Sequence, residues 1–227
     1  MPIHLQREIE RLKKLLLGLC AVVEENLRLA MKSIVRRESQ LATQVIGRDL
    51  EIDHQEIDVE EECLKILALH QPVAADLRFI VAALKMNNDL ERIGDLAVNI
   101  AQRALILNDL PPVEIPFDLS GLAEKSQKMF HDSLDALVNL NAQQARDVCA
   151  MDDQVDAINR QMYDQVKDMI RSHVEHLDAL IALLSVSRYL ERIADHATNI
   201  AEDVLYMLEG RIVRHGREFQ RQGRKGS

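Results

Sequence analysis

The chain reads as an all-α protein of two tandem three-helix bundles, six long helices related by pseudo-twofold symmetry. Three observations carry that reading. The core-forming residues are Leu, Ile, Val, Ala and Met, and aromatic residues make up only 3%, which favours helices over a β-sandwich. Apolar residues recur at helical spacing over stretches of about thirty residues. One stretch occurs twice: Leu90-Glu91-Arg92-Ile93-Gly94-Asp95-Leu96-Ala97-Val98-Asn99-Ile100-Ala101 returns as Leu190-Glu191-Arg192-Ile193-Ala194-Asp195-His196-Ala197-Thr198-Asn199-Ile200-Ala201.

The first helix is expected over residues 5–37, free of proline, with Leu16, Leu19, Val23, Leu27, Ala30 and Ile34 on its apolar face. Arg37-Glu38-Ser39 supplies a turn. A second helix follows over residues 40–69, with Leu41, Val45, Ile52, Ile57, Leu64 and Leu67 as its expected buried positions. From Asp49 to Glu62 it is strongly acidic, and no Lys or Arg interrupts the run. Pro72 breaks the pattern, and a third helix over residues 74–107 carries the first copy of the repeated stretch. Residues 108–117 hold three of the five prolines and form the linker. The pattern then restarts, with helices over residues 118–140, 142–172 and 174–209. The domains expected are therefore 1–107 and 118–209, followed by a basic tail over 210–227 that reads as a solvated, disordered end.

The restart is a repeat in register. Asp49 and Asp53 correspond to Asp152 and Asp156 at an offset of 103, whereas Glu91 and Asp95 correspond to Glu191 and Asp195 at an offset of 100. The slip between the two falls near the Pro72 loop, where a length change disturbs no helix.

Within the repeated stretch, Glu91, Asp95 and Asn99 are four apart, as are Glu191, Asp195 and Asn199. At about 3.6 residues per turn this spacing lines up three oxygen-bearing side chains beside an apolar face. In an antiparallel bundle the row can face Asp49 and Asp53 in the first half, and Asp152 and Asp156 in the second. His196, whose counterpart is Leu96, adds a possible nitrogen ligand to the second cluster alone. Packed carboxylates repel unless a cation neutralises them. Oxygen donors suit hard ions such as magnesium, manganese, calcium or iron; divalent or trivalent metal ions are expected here, with iron, manganese, magnesium and zinc as the candidates. The plainer alternative is that these acids are solvated or tied up in ion pairs, Arg92 and Arg192 being the nearest cations.

The net charge of −9 argues against nucleic acid as a partner and for basic protein surfaces or cations. Cys20, Cys63 and Cys149 form neither a disulfide framework nor a metal-type spacing, which suits a reducing cytoplasm. No apolar run approaches the roughly 20 residues of a membrane span. The chain has no Gly-rich phosphate loop, nucleophile elbow or His-Glu-x-x-His, so no catalytic residue and no enzymatic activity are expected. A carboxylate-bridged metal storage protein or metalloenzyme bundle is the alternative, weakened because the signature helices lack the Glu-x-x-His pair of di-iron bundles.

The twin stretches at residues 90–101 and 190–202, together with the loop Gln71-Pro72-Val73-Ala74-Ala75-Asp76-Leu77-Arg78, resemble the signatures of the PhoU family. The likeness covers about residues 5–213. It implies a non-enzymatic negative regulator of the phosphate-starvation response that links the ATPase subunit of a phosphate ABC transporter to a sensor histidine kinase. It also implies metal clusters on the acidic motifs, with Asp49, Asp53, Glu91 and Asp95 in one half and Asp152, Asp156, Glu191 and Asp195 in the other. A homodimer is expected.

Overall fold

The computed structural model describes residues 3–113 and 117–211, and they are helical almost throughout. The helices are α1 (Ile3–Val35), α2 (Ser39–Gly47), α3 (Asp49–His70), α4 (Ala74–Asp109), α5 (Leu119–Val138), α6 (Ala142–Ser172) and α7 (Leu177–Glu209), with a 3-10 turn at Val174–His176 before α7. In the first half α1, the α2–α3 rod and α4 form one bundle; in the second half α5, α6 and α7 form the other. The halves join chiefly where α4 packs along α7, and α1 also touches α5. The six long rods expected from the sequence are present, and the second of them is divided into α2 and α3 at Arg48. Gly47, a poor helix former, stands at the break; at the matching position in α6 is Ala150, and α6 is continuous.

Helix ends follow local chemistry. Asp118 caps α5 by accepting from the Gly121 backbone N–H at 2.8 Å, and the Asn141 side chain accepts from Gln143 and Gln144 at the start of α6. Arg37, in the left-handed region at φ 53°, ends the first helical rod. Its guanidinium donates to the carbonyls of Leu107 (2.5 Å) and Leu110 (2.6 Å), which pins the α1–α2 turn to the end of α4.

The core runs the length of both bundles. On α1, Leu16, Leu19, Val23, Leu27 and Ala30 are buried as the spacing predicts, Ile34 is half-buried, and Leu12 extends the buried stripe toward the start of the helix. On α3 the expectation needs correction. Ile57 and Leu64 are not buried: they are 48% and 53% exposed. The buried stripe is Ile52, Val59, Cys63 and Ile66, and Ile57 and Leu64 lie on the opposite side of the helix. α3 carries aliphatic residues on two faces, and only packing decides which face meets the bundle.

Register in the second half follows the 103-residue offset, with Val155, Met162 and Val166 buried where Ile52, Val59 and Cys63 are in the first. Across from Ile52, Gly94 lets α4 approach closely, since a Cβ there would sit 3.2 Å from two Ile52 side-chain carbons. The second half replaces this Ile–Gly combination with Val155 and Ala194, moving a methyl group from one helix to the other. No helix among the described residues is long and apolar enough to cross a membrane. Of the expected linker, residues 114–116 lie outside the described residues; so does the basic tail after Arg211.

Candidate metal centres

The first cluster lies across the α3–α4 interface. Asp49 opens α3, Asp53 follows one turn on, and both are half-buried together with Glu91 and Asp95 of α4. Burial raises the Asp49 pKa, and repulsion from Asp53 and Asp95 adds to the rise. Burial likewise raises Glu91; Asp95, Glu56 and Asp53 push it further, and Arg92 opposes them. The two acidic rows predicted to face each other therefore interact across the helices. Arg92 lies 3.3 Å from Glu91 and 3.1 Å from Asp95, so it supplies part of the counter-charge from within the chain.

The second cluster repeats the arrangement between α6 and α7. Burial raises Asp152, partly offset by a hydrogen bond that Thr198 donates to it at 3.2 Å, with Asp156 and Asp153 adding repulsion. Glu191 is raised by burial and by Asp156, while Arg188 and Arg192 act against the shift. Asp195 is the most perturbed of the set. Its pKa is pushed up to about 6, first by burial of the carboxyl and then by Glu191, Asp152 and Asp156. Asp195 as a residue is exposed to solvent, so an ion has a route in.

Two expected ligands lie elsewhere. His196 turns to the other half, where its Nδ1 is 2.7 Å from Asp89 Oδ1, and Asn199 donates to the same oxygen at 3.1 Å. Both serve the α4–α7 joint. The reason is the helical wheel of α7, where one face must serve α6 and an adjoining face α4, and His196 and Asn199 lie on the α4 side. Asn99 is half-buried on α4.

One further acid joins the first cluster without a counterpart in the repeat. Glu56, three positions after Asp53 on the same face of α3, has its pKa raised by burial and by Glu60 and Asp53. Asn87 donates to its carboxylate at 3.0 Å and to its backbone carbonyl at 2.9 Å. Glu56 belongs to the acidic run of α3, but the second half has Asn159 at this position, so the repeat does not mark it.

The donors of both clusters are oxygens, the kind that hard cations take. Asn159, at the position of Glu56 in the second half, has a buried Oδ1 that accepts no hydrogen bond among the described residues. Mutual repulsion leaves the carboxylates short of positive charge. In donor chemistry the clusters fit a metal ion. As the side chains stand, however, no three acid, His or Cys groups among the described residues are gathered closely enough to hold one. The cysteines take no part: burial pushes Cys20, Cys63 and Cys149 up to about 12.

The PhoU domain model matches the chain twice, over residues 16–104 and 119–204. The chain belongs to the PhoU family. Among its relatives, the phosphate-specific transport system accessory protein PhoU homolog of Aquifex aeolicus is 35% identical over 209 residues, spanning 92% of this chain and 95% of the relative. The protein of the same description from Pseudomonas aeruginosa is 36% identical over 214 residues, spanning 92% and 86%. The crystal structure of PhoU from Pseudomonas aeruginosa superimposes with a TM-score of 0.87 at 33% identity, covering 91% of this chain and 99% of that one. The phosphate transport system regulatory protein PhoU from Streptococcus pneumoniae gives 0.85 at 27% identity, covering 93% and 100%. Both copies of the PhoU domain in this chain contain one carboxylate cluster, so the clusters are duplicated with the fold.

Proposed function

We propose that this PhoU-family chain is an accessory regulator of a phosphate-specific transport system, a cytoplasmic and non-enzymatic adaptor whose two carboxylate clusters bind metal ions. The description shared by its relatives supports the transport role. What carries the metal reading is the pair of clusters itself. In each half, acids on two adjacent helices repel one another, and in the second half burial together with that repulsion pushes Asp195 up to about 6.

Asp49, Asp53, Glu91 and Asp95 would hold an ion in the first half, and Asp152, Asp156, Glu191 and Asp195 in the second, with Glu56 and Asn159 at the edge of each set. The ion supplies the missing counter-charge, and side chains move by rotamer changes to meet it. Neutralised, the α3–α4 and α6–α7 interfaces are held more rigidly, which favours a single docking shape. The adaptor's partners in this reading are the ATPase subunit of a phosphate ABC transporter and a sensor histidine kinase. Negative regulation follows if docking holds the kinase in its non-signalling state when phosphate is plentiful. A homodimer is part of the reading and is checked by sedimentation.

Deleting the gene should leave phosphate-starvation genes switched on in phosphate-rich medium. Normal repression in the deletion strain would overturn the regulatory reading. Elemental analysis of protein purified without chelators tests the metal reading separately: wild type should carry bound metal, and the Asp152→Asn, Asp195→Asn double variant should carry less. Tight iron accompanied by oxygen consumption would point instead to a metalloenzyme.

A further inference from the structure

The outer face of α3 carries an apolar stripe that the fold does not use. Leu50, Ile57 and Leu64 are 69%, 48% and 53% exposed and lie seven residues apart. Seven residues of helix advance about 10.5 Å and return to nearly the same face. The three side chains therefore form a straight seam roughly 21 Å long, the spacing at which one helix packs along another.

The second half shows that the fold does not require the stripe. At the 103-residue offset the equivalent positions on α6 are Asp153, Arg160 and Lys167, all exposed. The two middle helices bury matching residues at matching positions, yet only α3 exposes aliphatic residues here. The surrounding charge differs as well. From Asp49 to His70, α3 has eight Asp and Glu residues and a single Lys, whereas α6 mixes Arg and Lys with its acids. Leu64 also lines a groove of about 450 Å³ between α1 and α3, together with Arg11, Leu15, Asp58, Glu61, Glu62 and Lys65. Arg11 and Lys65 pair with Glu62. Asp58, Glu60 and Glu61 are exposed and make no ion pair among the described residues.

We infer that the Leu50–Ile57–Leu64 face of α3 is a docking surface for a basic amphipathic helix of a protein partner. Aliphatic residues of that helix pack along the seam, and Lys or Arg on its flanks meet Asp58, Glu60 and Glu61. The two kinds of contact divide the work: the apolar seam supplies affinity and register, while the acids speed encounter and exclude acidic helices. The adaptor reading names the protein that would own the helix, but binding by this face can be measured without it.

The test uses the full-length purified protein and a synthetic helical peptide with Leu at heptad positions and Lys on the flanks. Binding is read by fluorescence anisotropy. Wild type should bind the peptide at least tenfold more tightly than the Leu50→Gln, Ile57→Gln, Leu64→Gln triple variant. A peptide with Glu replacing every Lys should not bind. Unchanged melting of the triple variant is expected, since α6 already carries charged residues at these positions, and it separates loss of the seam from loss of the fold. A control variant, Arg160→Gln with Lys167→Gln on α6, should bind like wild type. Equal affinity of wild type and triple variant overturns the inference. So does sedimentation showing a wild-type dimer that the triple variant turns into a monomer, because the seam then belongs to a second copy. Tighter peptide binding on neutralising Arg214, Arg217 and Arg221 would also overturn it, by showing that the chain's own basic end competes for the face. Failure here leaves the gene-deletion result unaffected, so the two readings fall separately.

Discussion

His196 of α7 and Asp89 of α4 meet across the joint between the two halves, with Nδ1 2.7 Å from Oδ1 and both side chains largely enclosed. Their counterparts in the repeat are Leu96 and Tyr189, so the polar contact exists on one side of the pseudo-twofold only. Lys85 and Asp203, 2.6 Å apart, extend it along the same joint.

Removing one partner should cost more than removing both. His196→Leu leaves the Asp89 carboxylate with Asn199 alone, and a loss of about 1–3 kcal/mol is expected for a buried polar group stripped of its partner. Asp89→Leu with His196→Leu should recover much of that loss, because an apolar pair of similar volume can replace a buried polar pair. Urea unfolding in a double-mutant cycle measures the coupling. Additive effects would mean that the contact holds nothing together.

The raised carboxylates make the metal-free protein less stable at neutral pH. The sign follows from the direction of the shift. In its unfolded state Asp195 titrates near 3.8, and in the folded state near 6. Between those values the folded chain holds more proton than the unfolded one, so stability falls as pH rises through this window. Asp152, Glu191, Asp49 and Glu91, also raised, act in the same direction. Chelator-treated protein should melt at a higher temperature at pH 5 than at pH 7.5 by this contribution. Asp195→Asn should raise the melting temperature at pH 7.5 and flatten the pH profile. A profile identical to wild type in that variant would show that the cluster contributes no strain.

The two clusters should differ in cation affinity. Arg92 already sits between Glu91 and Asp95, so an entering ion must displace it. Among the described residues Arg192 forms no such bridge to Asp195, and acts on Glu191 only as a nearby charge. Manganese titration followed by calorimetry should therefore fill the second cluster first. Arg92→Gln should raise affinity at the first cluster and leave the second unchanged. Weaker binding in Arg92→Gln would assign the arginine a supporting role instead.

Gly94 and Ile52 should be coupled. Alanine gains about 1 kcal/mol over glycine in a helix interior, but its Cβ would press on Ile52 at 3.2 Å. Gly94→Ala alone is therefore expected near neutral. Combined with Ile52→Val, which reproduces the Val155 and Ala194 arrangement of the second half, it should be more stable than the sum of the single changes by about 1 kcal/mol. Thermal unfolding of the four proteins decides this.

The sequence by itself determined the helices, the tandem repeat and the acidic rows on the helices of each half. Each is a matter of spacing within a segment: 3.6-residue periodicity places Glu91 with Asp95 and Asp49 with Asp53, and duplication at fixed offsets shows which acids correspond. Only the tertiary structure decided which neighbour each face meets. It turned His196 and Asn199 toward Asp89, buried Val59 and Cys63 in place of Ile57 and Leu64, and brought Glu56 beside Glu91. Periodicity defines a face but not its direction. α3 offers two aliphatic faces and α7 two polar ones, and the choice between them comes from the packing of whole helices against each other.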